Sequence, residues 1–237
     1  MYRKLPENKA KVSFSQIFLA IDHLHQKNVI YRDLKPENIL VDAEGHLRLA
    51  DFGLSKLNFT KIDLTQTFCG SPEYMAPEML RQDGHGFALD YYQLGALLYE
   101  MLTGLPPHYN SNRIRMYQDI MNKESLEYPR SLSREAIDLM KRLLDKNPNT
   151  RLSDPKVVKS HPFFSNINWE KVLLRDIDPP IRVDFNRSNF DKEYTSLKIT
   201  LNPEEEDYDT RELELMQVTT KRAPRKKNRS MSCLTQQ

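Results

Sequence analysis

A short polar string in the first quarter of the chain contains side chains whose types and spacing can do chemistry. It includes the carboxylate of Asp33, the ammonium group of Lys35 and the amide of Asn38, and a second carboxylate, Asp51, follows soon after. A carboxylate can orient a hydroxyl group and accept its proton, and a cation can stabilise charge that develops on oxygen atoms. Carboxylate and amide oxygens are also the ligands that Mg²⁺ prefers. The string therefore indicates a site where a hydroxyl reacts beside metal-bound oxygens.

Two short β runs are expected to bring these side chains together. Residues 39–41 and 46–49 are short runs typical of β-strands on either side of a turn, where Gly45 is free to adopt a positive φ. The pattern predicts a β-hairpin. A hairpin turns the chain back, so that Asn38 and Asp51 can face one site.

Helices are predicted around this hairpin. Residues 8–26 place apolar side chains three and four positions apart, and residues 90–102 are apolar enough for a helix buried on most faces. Ser133 is a good N-cap for a third helix, and Asp154 followed by proline predicts a short fourth one. Residues 54–86 are typical of a loop. The sequence therefore predicts a mainly helical domain.

The composition is that of an ordinary globular protein and excludes several classes. The 237 residues include 39% hydrophobic and 29% charged residues with a net charge of +2, so the overall charge favours neither nucleic acid nor a membrane. Two cysteines cannot build a disulfide framework, which favours a reduced compartment. The first residues lack the apolar core of a secretory signal, and residues 94–99, the longest apolar run, are too short to cross a membrane. We expect a cytoplasmic protein without a membrane partner.

Three motifs, taken together in order and spacing, resemble the signature of the protein kinases. They are Tyr31-Arg32-Asp33-Leu34-Lys35-Pro36-Glu37-Asn38, then Asp51-Phe52-Gly53, then Ala76-Pro77-Glu78. Tyr31, where most kinases have His, and residues 65–74 resemble the AGC group of serine/threonine kinases. The most similar branch contains protein kinase B, the ribosomal S6 kinases and the serum-and-glucocorticoid-regulated kinases.

The resemblance implies a fold, cofactors and partners. The fold would be mainly α, a protein-kinase-like large (C-terminal) lobe with a small β-hairpin at the catalytic loop. The cofactors would be ATP and Mg²⁺, and the partners would be protein substrates with basic residues before Ser or Thr, and an upstream activation-loop kinase. The implied organisation is a large lobe at 1–164, an AGC-type C-terminal extension at 165–202, and an acidic then basic tail at 203–237, expected to be disordered.

The resemblance also assigns roles to single residues, position by position. Asp33 matches the catalytic base, Lys35 the cation beside the transferred phosphoryl group, and Asn38 and Asp51 the Mg²⁺ ligands. It assigns nucleotide binding to Glu37, Asn38, Leu40 and Asp51, and substrate binding to Glu37, Ser71 and Glu100. It assigns activating phosphorylation to Thr65 and binding of that phosphate to Arg32. Asp90 would anchor the catalytic loop, and Glu78 and Arg151 would form a buried ion pair.

The same resemblance predicts what is missing before the catalytic loop. A kinase needs a Gly-rich loop, a strand Lys and a helix Glu ahead of it, but the 30 residues before Tyr31 contain no Gly. We therefore expect a large lobe and tail without the small lobe, with little or no activity from this polypeptide alone. The alternative is a non-catalytic, pseudokinase-like module that binds substrates or partners through the large lobe.

The basic run at 221–230 and the thiol of Cys69 leave further hypotheses open. Direct nucleic-acid binding by the run is disfavoured because no aromatic platform accompanies it, and a nuclear address is the second interpretation. Basic residues also lie five, three and one positions before Ser230. This spacing suits a basophilic kinase and predicts Ser230 as a site of autophosphorylation or trans-phosphorylation. For Cys69, a small, partly buried side chain is the simpler interpretation than a redox-sensitive thiol.

Overall fold

The structure is a computed structural model that describes residues 4–67, 69–123 and 125–183. The chain divides into two compact units, Met1–Asn186 and Arg187–Gln237. The second unit lies outside the described residues. So do the predicted acidic and basic tail, half of the predicted AGC-type extension (184–202), and Ser230.

The described residues form a mainly helical domain with one small sheet, so the predicted fold class is confirmed at this level. None of the described helices is both long and apolar enough to span a bilayer. The helices are α1 (Glu7–Gln26), α2 (Pro77–Arg81), α3 (Ala88–Thr103), α4 (Arg113–Asn122), α5 (Arg134–Leu143), α6 (Pro155–Lys159) and α7 (Trp169–Leu174), and the strands are β1 (Ile39–Val41) and β2 (Leu47–Leu49).

Helix α1 forms where the apolar spacing predicted it, one residue earlier at its start. Its apolar stripe is fully buried, and Phe14 stacks on Phe164 with ring centroids 5.3 Å apart. The ring of Phe18 meets Tyr91 of α3 and Trp169 of α7 edge to face. Burial of these apolar side chains fixes α1 against α3.

Helix α3 is buried on nearly every side, as its composition predicted. At Gly95 it lies so close to α5 that an added Cβ would be 2.8 Å from the Cβ of Leu143 and 3.0 Å from Cγ of Leu144. Only glycine allows the two helices to approach to this distance. The contact fixes α3 at the centre of the domain.

The predicted hairpin is present and is packed against α1. Strands β1 and β2 are antiparallel, with Leu40 opposite Arg48, and Gly45 in the turn has a φ of 89°. Gln16 of α1 accepts a hydrogen bond from the backbone N–H of Leu47 at 2.9 Å, and its amide lies 2.7 Å from Nδ1 of His46. One polar side chain therefore ties the hairpin to the helical core.

Two helices begin at the predicted caps, and three others were not predicted. The Ser133 hydroxyl accepts from the N–H of Ala136, and Asp154 accepts from the N–H of Lys156. Helices α2 and α7 were missed because they have only five and six residues, and α4 because only Met116 and Ile120 of its ten residues are buried. Helix α2, for example, interrupts the predicted loop and is started by Pro77 in the first helical position.

The predicted ion pair between Glu78 and Arg151 is also present. Arg151 donates two parallel hydrogen bonds to the carboxylate, at 2.6 and 2.9 Å, and both side chains are buried. A third bond, at 2.8 Å, runs from the guanidinium to the carbonyl of Ala88, and the guanidinium lies over the Tyr92 ring. The pair therefore fixes α2 against the start of α3.

Candidate active site

The segment from Tyr31 to Asn38, called here the catalytic loop, is fixed by two polar side chains of α3. Asp90, which is completely buried, accepts from the N–H of Tyr31 at 2.9 Å and from that of Arg32 at 2.8 Å. Gln93 accepts from the N–H of Leu34 and donates to the carbonyl of Arg32. Sequence reasoning missed Gln93, although it is three residues after Asp90 and therefore on the same helix face.

Two site residues have backbone conformations that non-glycine residues seldom adopt. The φ of Arg32 is 74° and that of Asp51 is 52°. Both conformations are costly for residues with a Cβ, and such strain clusters at functional sites. The backbone N–H of Arg32 donates to Asp90 and its carbonyl accepts from Gln93, and these hydrogen bonds offset part of the cost.

The structure brings four of the predicted site residues together in one hydrogen-bonded group. The ammonium group of Lys35 lies 2.9 Å from Oδ2 of Asp33 and 3.0 Å from the Ser71 hydroxyl. The amide of Asn38 donates to the same carboxylate oxygen at 2.9 Å and to the backbone carbonyl of Asp33 at 2.8 Å. Both side-chain bonds use Oδ2 and leave Oδ1 outside this hydrogen-bonded group.

Asn38 and Asp51 fit the requirements of a magnesium site. Because the Asn38 NH₂ group points to Asp33, its amide oxygen faces away and can ligate a cation. Asp51 uses Oδ1 to accept from the N–H of Gly53 and retains Oδ2. No group of three or more metal-binding side chains occurs among the described residues. Mg²⁺ is compatible with such a site because it keeps waters and substrate phosphates as its other ligands.

Of the residues predicted to bind the nucleotide, Glu37, Leu40 and Asp51 are exposed and Asn38 is buried. Leu40 on β1 is 57% exposed and Phe52 is 51% exposed, and Glu37, three residues before Leu40, is exposed as well. The ring of Phe52 meets that of Tyr31 edge to face, with centroids 5.6 Å apart. Nucleotide binding by Glu37 and Leu40 stays a prediction.

The carboxylate of Glu100 feels the charges of two other acids, Glu37 and Glu73, beside residues 65–74, called here the activation segment. The Tyr74 hydroxyl donates to Glu100. Burial raises the pKa of Glu100, and the nearby carboxylates of Glu37 and Glu73 raise it further. Sequence reasoning named Glu37 and Glu100 but missed Glu73, although Glu73 is an acid only two residues after Ser71, which was predicted to bind the substrate.

Thr65, the predicted phosphorylation site, is buried and paired to another segment. Its backbone exchanges hydrogen bonds with His85 at 3.0 and 2.9 Å, and its hydroxyl lies 3.3 Å from that of Thr67. Arg32 donates through Nε to the carbonyl of Leu54. Sequence reasoning did not single out His85.

The thiol of Cys69 lies in the same segment and is partly buried. Burial raises its pKa, and the charge of Arg32 lowers it by a smaller amount. A raised pKa reduces the thiolate fraction and therefore the reactivity. The environment favours the simpler interpretation of Cys69 as a packing residue.

Comparisons with known proteins agree with this geometry. A family model described as the protein kinase domain matches residues 2–164. The chain is 48% identical over 179 residues to a RAC family serine/threonine-protein kinase homolog of Dictyostelium discoideum, covering 75% of this chain and 40% of that protein. It is 46% identical to the serine/threonine-protein kinase gad8 of Schizosaccharomyces pombe, over 79% of this chain and 34% of that protein.

A third relative extends the same pattern. Serine/threonine-protein kinase YPK1 of Saccharomyces cerevisiae is 45% identical over 197 residues, covering 81% of this chain and 29% of that protein. The chain therefore spans between 29% and 40% of the length of these relatives. The chain belongs to the protein kinase family, among the serine/threonine kinases of the AGC type.

Proposed function

We propose that the protein containing these residues transfers the γ-phosphoryl group of ATP to Ser or Thr hydroxyls of protein substrates. The observation that supports this most directly is the hydrogen-bonded group of Asp33, Lys35, Asn38 and Ser71. The substrate oxygen forms a bond to phosphorus, the bond from phosphorus to the ADP oxygen breaks, and the substrate proton passes to Asp33. Little covalent chemistry is required of the protein, so positioning and charge stabilisation supply most of the catalysis.

Each member of this group has a distinct task in the proposed reaction. Asp33 orients the attacking hydroxyl through Oδ1. Lys35, bonded to both Asp33 and Ser71, places a positive charge beside the transferred group and links the catalytic loop to the activation segment. Asn38 and Asp51 would bind Mg²⁺, which when bound neutralises charge on the phosphate oxygens.

We infer that the preferred substrates have basic residues before the phosphorylated Ser or Thr. Glu37 and Glu73 both act electrostatically on Glu100, so negative charge is concentrated in this region. An arginine guanidinium binds a carboxylate through two parallel hydrogen bonds. A substrate arginine would relieve the repulsion among these three groups.

Phosphorylation of Thr65 by an upstream kinase is the proposed activating step. A phosphate carries about −1.5 to −2 charges and can order a loop by pairing with arginine. Arg32 is buried near this segment and is adjacent to the catalytic base. Binding of the phosphate by Arg32 would therefore connect the activation segment to Asp33. We propose that the protein is located in the cytoplasm, and that the basic residues 221–230 can direct it to the nucleus.

A polypeptide of only these 237 residues is expected to transfer little phosphate. The mainly helical architecture and single hairpin support its interpretation as a large lobe. The Gly-rich loop, strand Lys and helix Glu would otherwise position ATP, and no glycine precedes Gly45. Adding the small lobe of a related AGC kinase at the N-terminus should therefore create activity.

The test compares the 237-residue polypeptide with such a chimera, using radiolabelled ATP and peptides with arginine or leucine before the acceptor serine. The chimera should phosphorylate the arginine peptide faster, and Asp51→Ala should abolish transfer. Asp83→Ala, an exposed acid distant from the catalytic loop in sequence, is the matched control. A folded chimera that binds the arginine peptide without transferring phosphate would refute the proposal in favour of the non-catalytic binding module.

A further inference from the structure

Two buried side-chain nitrogens near Thr65 have no hydrogen-bond partner within the part of the chain that the structure describes. They are Nη1 of Arg32 and Nε2 of His85, and the residues are 8% and 3% exposed. Buried polar groups in native proteins are nearly always paired, and each exception needs an explanation. His85 is bridged to Thr65, and the charge of Arg32 acts on the His85 ring, so two unpaired nitrogens in this region point to an anionic ligand.

The backbone places His85 directly opposite Thr65. The two residues form an isolated antiparallel β-bridge. Residues that face each other in an antiparallel pair have their side chains on the same side, with Cβ atoms about 4.5–5.5 Å apart. A group attached to the Thr65 hydroxyl is therefore within reach of the imidazole of His85.

Two glycines beside His85 make this close pairing possible. Gly84 has a φ of +86°, and an added Cβ there would lie 3.2 Å from the Cβ of Leu64. An added Cβ at Gly86 would lie 3.3 Å from the backbone oxygen of Asp63. Larger residues at these two positions would push the segments apart, so the sequence Gly-His-Gly allows His85 to approach Thr65.

The charges around His85 are of both signs. Its pKa is lowered, first by burial and then by the charges of Arg32 and Lys56, while Glu78 and Asp90 oppose this by raising it. The imidazole is thus kept neutral at neutral pH. A phosphate dianion on the same side of the bridge would add negative charge and favour the protonated ring.

We propose that a phosphate on Thr65 is bound by His85 as well as by Arg32, and that His85 takes up a proton when the phosphate is added. This inference rests on the proposed phosphorylation of Thr65. His85 is a positioning residue, because it lies just before α3, the helix whose Asp90 stabilises the catalytic loop. Phosphate binding at His85 would therefore act on the catalytic loop from a second direction, independent of Arg32.

The first test measures the pKa of His85 by NMR in the full 237-residue chain, with threonine or genetically encoded phosphothreonine at position 65. Phosphorylation should raise the proton affinity of His85 at least about tenfold, which is one pH unit. His161, whose ring is hydrogen-bonded to Asp138 at 2.9 Å, is the internal control and should not change. An unchanged pKa of His85 would overturn the proposal.

The second test follows the phosphate itself by phosphorus NMR. Its second pKa, ordinarily about 6, should be lower in the parent chain than in His85→Gln, because glutamine can donate a hydrogen bond but cannot take up a proton. His23→Gln, at an exposed position on α1, should leave that pKa unchanged. Equal phosphate pKa values in the parent and His85→Gln would also overturn the inference.

These measurements do not depend on kinase activity. A chimera that transfers phosphate while His85 fails to respond would refute only the role of His85. Conversely, a normal response of His85 in a chain whose chimera transfers no phosphate would refute only the proposed function.

Discussion

Replacing Asp90 with alanine should strongly destabilise the domain and release the catalytic loop. The carboxylate accepts hydrogen bonds from two buried backbone N–H groups, those of Tyr31 and Arg32, and lies 2.7 Å from Nε2 of His25. A hydrogen bond to a charged acceptor contributes about 1.5–3 kcal/mol. Losing the two backbone bonds should therefore cost about 3–6 kcal/mol, a large part of the roughly 5–15 kcal/mol that stabilises a typical protein.

A conservative variant, Asp90→Asn, separates the two bonds. The amide that replaces the carboxylate retains one carbonyl oxygen, which can accept from one N–H, while its NH₂ group faces the other donor. The cost should fall to about half, roughly 1.5–3 kcal/mol. Asp83→Ala is the matched control because its partner, Arg81, is at the surface, where ion pairs contribute about 0–1 kcal/mol.

Urea unfolding followed by fluorescence of Trp169, the single tryptophan, gives the free energy of unfolding for each variant. Hydrogen exchange locates the effect, since the amides of Tyr31 and Arg32 should lose protection before those of α1. An Asp90→Ala chain that unfolds within about 1 kcal/mol of the parent, with both amides still protected, would refute the assignment of Asp90 as the anchor.

Three further predictions follow from the packing, Glu100 and the tail. Gly95→Ala should lower the free energy of unfolding by about 1–3 kcal/mol in urea titrations, because the new methyl group would collide with Leu143; an unchanged value would show that α3 and α5 can separate freely. The pKa of Glu100 in the folded state is raised, chiefly by burial, so at a pH between the ordinary and the raised pKa the folded state binds more protons than the unfolded state. The free energy of unfolding should therefore fall as the pH rises through this range. Urea titrations across that range should show no such loss in Glu100→Gln, and parallel pH curves for parent and variant would contradict this. In the chimera, mass spectrometry should find phosphate on Ser230 that disappears in Asp33→Asn, and an unmodified Ser230 in an active chimera would rule the site out.

Local signals in the sequence predicted α1, the hairpin and two of the helix starts. The apolar spacing of residues 8–26 is sufficient to define α1, since one face of the helix is buried along its whole length. The hairpin follows from two β runs around Gly45, and the caps at Ser133 and Asp154 need only the next few N–H groups. In each case the signal lies within a short stretch of chain, even where the contacts that stabilise the element, such as Phe14 with Phe164, come from distant positions.

The site was predicted only as far as its residue types and motif spacing allowed. Asp33, Lys35 and Asn38 are neighbours in the chain, so their proximity could be expected. The partners of Gln93 and His85 lie on other segments that only the tertiary fold brings close. Neither a glutamine in an apolar helix nor a histidine between two glycines has a local pattern that reveals such a partner.

The buried ion pair of Glu78 and Arg151 has a consequence for how the domain folds. The two residues are separated by 73 positions in the chain. Contacts between distant positions form late, since the loop between them must be closed before they gain any stabilisation. Helix α2, which carries Glu78, can therefore reach its final position only after α3, α4 and α5 have assembled. On the ribosome, this places the final docking of α2 after the synthesis of Arg151.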